Sequence, residues 1–131
     1  MVNDPIADFI TQIKNAGTAR KECVVIPYSK MKSAIAEVLL REGYIEAVNK
    51  KGKGVKTSLE IYIKYLQNGK PKIDGVKRIS KPSRRLYSNA ASVTSVKSGH
   101  GKVILSTPAG IVTDKEAKEK SVGGEVLFYI W

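Results

Sequence analysis

The 131-residue sequence predicts an α+β fold of two small lobes: an N-terminal α-β-α-β-β sandwich and a C-terminal, mostly antiparallel β lobe with one short helix. Three observations carry this. Two apolar stripes at helical spacing occupy the first third of the chain, each opened by a capping residue and stopped by a glycine. Leu59, Ile61, Ile63 and Tyr65 then alternate strictly, as one face of a strand does. Beyond residue 72 the chain breaks into short apolar runs, with a single capping box at Thr113 and Glu116.

Asp4-Pro5 opens the first helix, with a carboxylate at the cap and a proline at the first helical position, where its missing N–H costs nothing. Ile6, Phe9, Ile10 and Ile13 form the buried stripe, Gly17 ends it, and Asp8, Gln12, Lys14 and Asn15 take the other face. Val24-Val25-Ile26 is a short buried strand closed by Pro27, with Cys23 at its start as a small core residue. Ser29 caps a second helix whose stripe is Met31, Ile35, Val38 and Leu39, and Gly43 stops it. Tyr44 to Val48 and Ser58 to Tyr65 pair as a hairpin around Lys50-Lys51-Gly52-Lys53-Gly54. That turn joins strand to strand and lacks the spacing of a phosphate-cradling loop, so it reads as a hairpin tip; with Lys56 it is also a basic finger able to add nonspecific affinity for a polyanion.

Gln67-Asn68-Gly69-Lys70-Pro71 is polar and carries glycine and proline, which sets the expected organisation at 1–66 for the N-terminal lobe, 67–72 for a linker and 73–131 for the C-terminal lobe. Strands are expected at Val76 to Ser80, Arg85 to Tyr87, Val103 to Ser106 and Glu125 to Ile130, with the short helix from Thr113 to about Lys120 before the last. Ser88 to Lys102 is weakly patterned and receives no assignment. The stretch Ser106-Thr107-Pro108-Ala109-Gly110 is a strand end broken by proline and glycine, which exposes two hydroxyls and free backbone groups. Gly123-Gly124 is expected to stop the helix ahead of the final strand.

Composition bounds the function. Twenty-three lysines and arginines against twelve acids give a formal charge of +11, and between Asp74 and Asp114 no acidic residue occurs while Lys77, Arg78, Lys81, Arg84, Arg85, Lys97 and Lys102 do. A solvated face normally mixes both signs, so a one-sign stretch points to a polyanionic partner. Cys23 and His100 are the sole residues of their kinds, which excludes an intramolecular disulfide and a Cys/His zinc site; His100, between two glycines, is expected in a loop close to RNA. No catalytic residue, metal or cofactor is expected. No apolar run is long enough to span a bilayer, no signal region opens the chain, and both helices carry mixed charge, so a cytoplasmic protein with no membrane partner is expected. A nonspecific nucleic-acid-binding or processing protein is the competing class. Processing would need clustered acidic metal ligands, and of Asp114, Glu116 and Glu125 the first two are explained by helix capping.

The opening Asp4-Pro5-Ile6-Ala7-Asp8, the central Arg78-Ile79-Ser80-Lys81-Pro82 with Arg85 and Tyr87, and the terminal block from Ile104 through Gly110 to Gly123-Gly124-Glu125 and Trp131 resemble, in register and over the whole chain, the eighth protein of the small ribosomal subunit in its bacterial form. The resemblance implies a noncatalytic structural protein of the cytoplasmic ribosome. Such a protein binds a helical junction in the central domain of small-subunit ribosomal RNA early in assembly and sits among neighbouring small-subunit proteins. It also implies that the same surface can bind a similar structure in the messenger of its own operon and repress translation. Carried onto this chain, the RNA contacts would be Ser106 and Thr107 with the turn after them, Tyr87, the basic Lys81, Arg84 and Arg85, and the backbone and carboxylate of Gly123, Gly124 and Glu125, with Lys14 and Asn15 more peripheral. Tyr87 would pack or stack on the RNA. The family usually has serine after the Ser-Thr pair and glycine after Lys-Pro; Pro108 and Ser83 stand there in this chain. Pro108 removes one hydroxyl and one N–H, so one family contact is made differently.

Overall fold

The computed structural model describes residues 4–89 and 101–131, in two compact units. One spans Asp8–Asp74; the other combines residues 4–7 with 75–131. His100, Lys97 and most of the unassigned Ser88 to Lys102 stretch lie outside the described residues.

The first unit contains most of helix α1 (Pro5–Thr18), then β1 (Cys23–Pro27), α2 (Lys30–Arg41), β2 (Ile45–Lys51), a 3₁₀ turn (Gly54–Lys56) and β3 (Ser58–Ile63). This is the predicted α-β-α-β-β order, and its strands form an antiparallel sheet in the order β1-β3-β2. Phe9, Ile10, Ile13, Ile35, Val38 and Leu39 are buried with Ile26, Leu59, Ile61 and Ile63, so the stripes read from the sequence are the core. Ser29 caps α2 by accepting the Lys32 N–H at 3.1 Å.

Several expected core positions differ: Val25, opposite Glu60 in the register, is 56% exposed, and Ile6 and Val24 are only partly buried. Met31 is 39% exposed, because it stands in the first turn of α2 ahead of the Ile35–Leu39 stripe. Cys23 is only half-buried: its register partner is Tyr62, and that row faces away from the Leu59, Ile61 and Ile63 side. Residues 67–72 form a turn, with the Leu66 N–H on Lys70 O at 2.7 Å, the Lys72 N–H on Lys64 O at 2.9 Å, and Tyr65 bridged to Pro71. The units divide after Asp74.

The second unit is built on β4 (Val76–Arg78), β5 (Tyr87–Ser88), β6 (Lys102–Thr107), β7 (Gly110–Thr113), α3 (Asp114–Lys120) and β8 (Gly124–Ile130). The antiparallel sheet runs β4-β8-β6-β7, and β5 also pairs with β8. The α+β architecture of two small lobes with antiparallel sheets is therefore as the sequence predicts. The sequence reading lacked β7, which turns the break after Ser106 into a hairpin: Thr107 pairs with Gly110 around Pro108-Ala109. Val103, Leu105, Val112 and Val126 pack with Ala117 of α3, which covers one face of the sheet. A register shift between Ile104 and Leu105 makes Leu127 the extra residue of a bulge on β8, and Val103–Leu105 of β6 and Val126–Phe128 of β8 are all buried.

Candidate nucleic-acid interface

Register alone gathers most of the expected contact residues. Tyr87 of β5 lies opposite Glu125 of β8, Glu125 opposite Ser106 of β6, and Ser106 opposite Ile111 of β7. Directly opposed residues in an antiparallel sheet share a face. The neighbouring row, Val126–Leu105–Val112, belongs to the core beneath α3, so the Tyr87–Glu125–Ser106 row faces the other side. Tyr87 is 71% exposed there.

The two glycines bring backbone against backbone. A Cβ on Gly124 would overlap the Ser106 carbonyl oxygen and stand 2.9 Å from Thr107 Cγ2; one on Gly123 would stand 2.5 Å from Ser88 O and 2.7 Å from Asn89 Cα. Only glycine lets β8 enter between the ends of β5 and β6 this closely. Gly123-Gly124 is thus set by packing between strands. Helix α3 ends earlier, at Ser121 in the left-handed conformation, and begins with the predicted capping box between Thr113 and Glu116.

The hairpin end is ordered by its own threonine. Thr107 Oγ1 accepts the Ala109 N–H at 3.1 Å and donates to Gly110 O at 2.9 Å, with Gly110 at φ +106°. Pro108 sits at the first loop position, where a fixed φ and a missing donor are both tolerated. The Ser106 hydroxyl, unlike that of Thr107, has no hydrogen-bond partner among the described residues.

Beside this row runs a basic turn. Lys81 and Arg84 exchange two backbone hydrogen bonds of 2.9 Å around Pro82-Ser83, and both side chains are exposed. Ser83 has no positive φ, so the turn accepts serine without backbone strain. Ser80, fully buried, anchors the turn: its Oγ accepts the Leu86 N–H at 3.1 Å and donates to Glu125 Oε2. Arg85 Nη1 reaches the same carboxylate at 3.0 Å while half of its side chain stays exposed. Sequence reasoning missed Ser80. Its only signal is one small hydroxyl at the end of a strand otherwise apolar or basic.

Burial by itself would push the Glu125 carboxyl up, but the hydrogen bonds from Ser80 and Arg85 and the charges of Arg85 and Arg78 outweigh it and hold Glu125 below the ordinary glutamate value of 4.5. Arg85 is raised in return, chiefly by its hydrogen bond to Glu125 and then by that residue's charge. A depressed carboxyl contributes stability that is present above the unfolded-state value and lost as pH falls through the folded one. Glu125→Gln should therefore cost on the order of 1 kcal/mol at pH 7, through a weakened charge-assisted network, and less at pH 3, below the ordinary glutamate value. Urea unfolding of both proteins at the two pH values checks this; an equal cost at both would remove the ionised carboxylate from the account.

Ser106, Thr107, Tyr87, Gly123, Gly124, Glu125 and, through Glu125, Arg85 are thus gathered at one end of the second sheet, with Lys81 and Arg84 in the adjoining turn. Lys14, half-buried, and Asn15, exposed, stand on α1 in the other unit. The described residues include no group of three or more potential metal ligands and no helix long and apolar enough to cross a membrane. Asp114 and Glu116 serve structure: Asp114 Oδ1 accepts the Val103 N–H at 3.3 Å and Glu116 closes the capping box.

A family model described as Ribosomal protein S8 matches residues 4–131, which includes every element of this surface. The chain belongs to that family. It is 51% identical over 138 residues to the small ribosomal subunit protein uS8 of Persephonella marina, with both chains covered in full. It is 49% identical to the uS8 protein of Mycoplasmopsis agalactiae, covering 99% of this chain and 98% of the relative. The uS8 protein of Streptococcus equi subsp. zooepidemicus is 45% identical over 131 residues. Membership in the S8 family makes the chain a ribosomal protein of the small subunit, a cytoplasmic and RNA-associated component of the translation machinery.

Proposed function

We propose that this S8 family member is a noncatalytic constituent of the small subunit that binds a helical junction in the central domain of small-subunit ribosomal RNA and supports subunit assembly. The observation that carries the reading is the row Tyr87–Glu125–Ser106, with Tyr87 exposed and Glu125 and Ser106 partly buried, laid across three strands on the face away from α3 and flanked by the basic Lys81–Arg85 turn. The shallow minor groove of A-form RNA, with its 2′-hydroxyls, and the splayed bases of a junction suit short hydroxyls, bare glycine backbone and an aromatic ring. Ser106 and the backbone at Gly123 and Gly124 approach the RNA closely, Tyr87 stacks, and Lys81, Arg84 and Arg85 neutralise phosphates. Glu125 fixes the Arg85 guanidinium and offers the acceptor of the row. Lys14 and Asn15 add a peripheral contact. The same surface would take a similarly shaped element in the messenger of the protein's own operon, which competition between the two RNAs would reveal.

The Ser-Thr pair separates recognition from folding. Ser106→Ala should weaken binding to the junction RNA about fivefold to tenfold, one hydrogen bond's worth, and leave binding to a plain duplex of equal length unchanged. Thr107→Ala should lower stability by about 1 kcal/mol, because two turn hydrogen bonds are lost, and Thr107→Ser should restore it. Filter binding on both RNAs and thermal melts read the two effects. An equal loss on junction and duplex after Ser106→Ala would remove the selective role of this row.

A further inference from the structure

The turn between β2 and β3 is larger than a hairpin requires. Two strands in register can be joined by two residues, whereas this connection runs from residue 52 to residue 57 and includes a 3₁₀ turn. It is also well constrained. Gly52 sits at φ +91°, with a Cβ there 2.5 Å from Lys56 O; the Lys56 and Thr57 N–H groups bond Lys53 O and Gly54 O at 3.2 Å, and Thr57 Oγ1 donates to Gly54 O at 2.7 Å. Ordering has thus been spent on a segment that buries nothing: Val55 at its summit is fully exposed.

The charges on this tip divide into two kinds. Lys51 Nζ is held by Glu60 at 3.3 Å, and Lys50 Nζ lies over the Tyr28 ring at 4.3 Å. Lys53 and Lys56 are exposed and have no acidic partner among the described residues, and no acidic residue occurs between Glu46 and Glu60 in the chain. A solvated lysine face has no use for a rigid turn and an apolar summit. Two exposed lysines carried by a pre-ordered turn on either side of a small apolar side chain suit a sugar–phosphate backbone, with the lysines on phosphates and Val55 against ribose.

We infer that the β2–β3 tip is a second, sequence-independent RNA-backbone contact, formed by Lys53, Val55 and Lys56 and separate from the Ser106 row. The inference rests on the reading of this chain as a binder of small-subunit ribosomal RNA, and adds a helix flanking the junction as the element that the tip takes. The test is a salt titration of Lys53→Ala/Lys56→Ala against two probes, the isolated junction RNA and the whole central domain of the small-subunit RNA, with Ser106→Ala in parallel. On the whole domain the slope of log K against log salt should shrink by about 1.4 to 1.8, two phosphates at 0.7 to 0.9 each, and on the isolated junction it should not change. A hydroxyl-radical source tethered at Val55→Cys, with Cys23→Ser, should cleave the domain RNA at one confined stretch of backbone. Unchanged slopes on the whole domain, or cleavage with no confined stretch, overturn the inference. A null result for Ser106→Ala alongside a lost lysine slope would leave the tip in place and overturn the junction reading instead.

Discussion

Gly124→Ala should lower the stability of the protein by about 3 kcal/mol, a fall in melting temperature of roughly 10 °C, and should reduce binding to the junction RNA by at least tenfold. The added carbon would overlap the Ser106 carbonyl oxygen, a backbone atom with no rotamer to escape into. β8 and β6 would have to separate at the point where Ser106 and Glu125 face each other, so folding and recognition are lost together. Gly110→Ala is the informative control. Its φ of +106° makes any side chain strained, yet nothing lies within 4 Å of its Cβ position, so it should cost only about 1 to 2 kcal/mol and leave the β6–β8 pairing intact. Thermal melts and junction binding of the two variants separate steric overlap from backbone strain. Equal costs would show that strand separation at Gly124 is not what matters.

The elements legible in the sequence were those whose signals are local. Leu59, Ile61 and Ile63 alternate because one face of β3 is buried and the other is not, and Thr113 and Glu116 satisfy each other within one turn of helix. β7 was not legible. Its interior is only Ile111 and Val112, and its last residue, Thr113, also caps α3, so the capping signal masked the strand. The candidate surface was legible as residue types and not as geometry. Nothing near Ser80 in the sequence announces that its hydroxyl will meet Glu125, because that pairing depends on β4 and its extension running along β8. The acid-free stretch also overstated the charge available to a partner: Arg78 is turned inward onto Asp4, and Arg85 shares its guanidinium with Glu125.

Arg78→Ala should be the most costly of the charge removals, at about 3 kcal/mol. Arg78 Nε donates to both oxygens of Asp4, at 3.2 and 3.0 Å, and Nη1 donates to Leu127 O. The arginine side chain is 9% exposed and the aspartate 20%, so water replaces neither partner well. Truncating Arg78 leaves the largely buried Asp4 carboxylate without its charge partner and takes one of two donors from Leu127 O, and the penalty of stranding that charge exceeds the net worth of the pair. Asp4→Asn should cost only about 1 kcal/mol, because an amide oxygen can still accept the Ala7 N–H that Asp4 Oδ1 now holds at 3.2 Å and so keep the cap on α1. In the double variant the stranded charge is gone, so the combined cost should fall short of the sum by about 1 to 2 kcal/mol. Arg78→Lys should recover little, since one ammonium cannot serve the carboxylate and the Leu127 carbonyl in the same fork. The consequence for RNA runs through the next two residues. Ile79 and Ser80 continue the β4 pairing by donating to Leu127 O and Val126 O, and Ser80 then holds both Glu125 and the Leu86 end of the basic turn. Loosening Arg78 should therefore weaken junction binding although Arg78 itself faces Asp4. Additive costs in the Asp4/Arg78 cycle, combined with unchanged junction binding, would confine Arg78 to an ordinary surface charge.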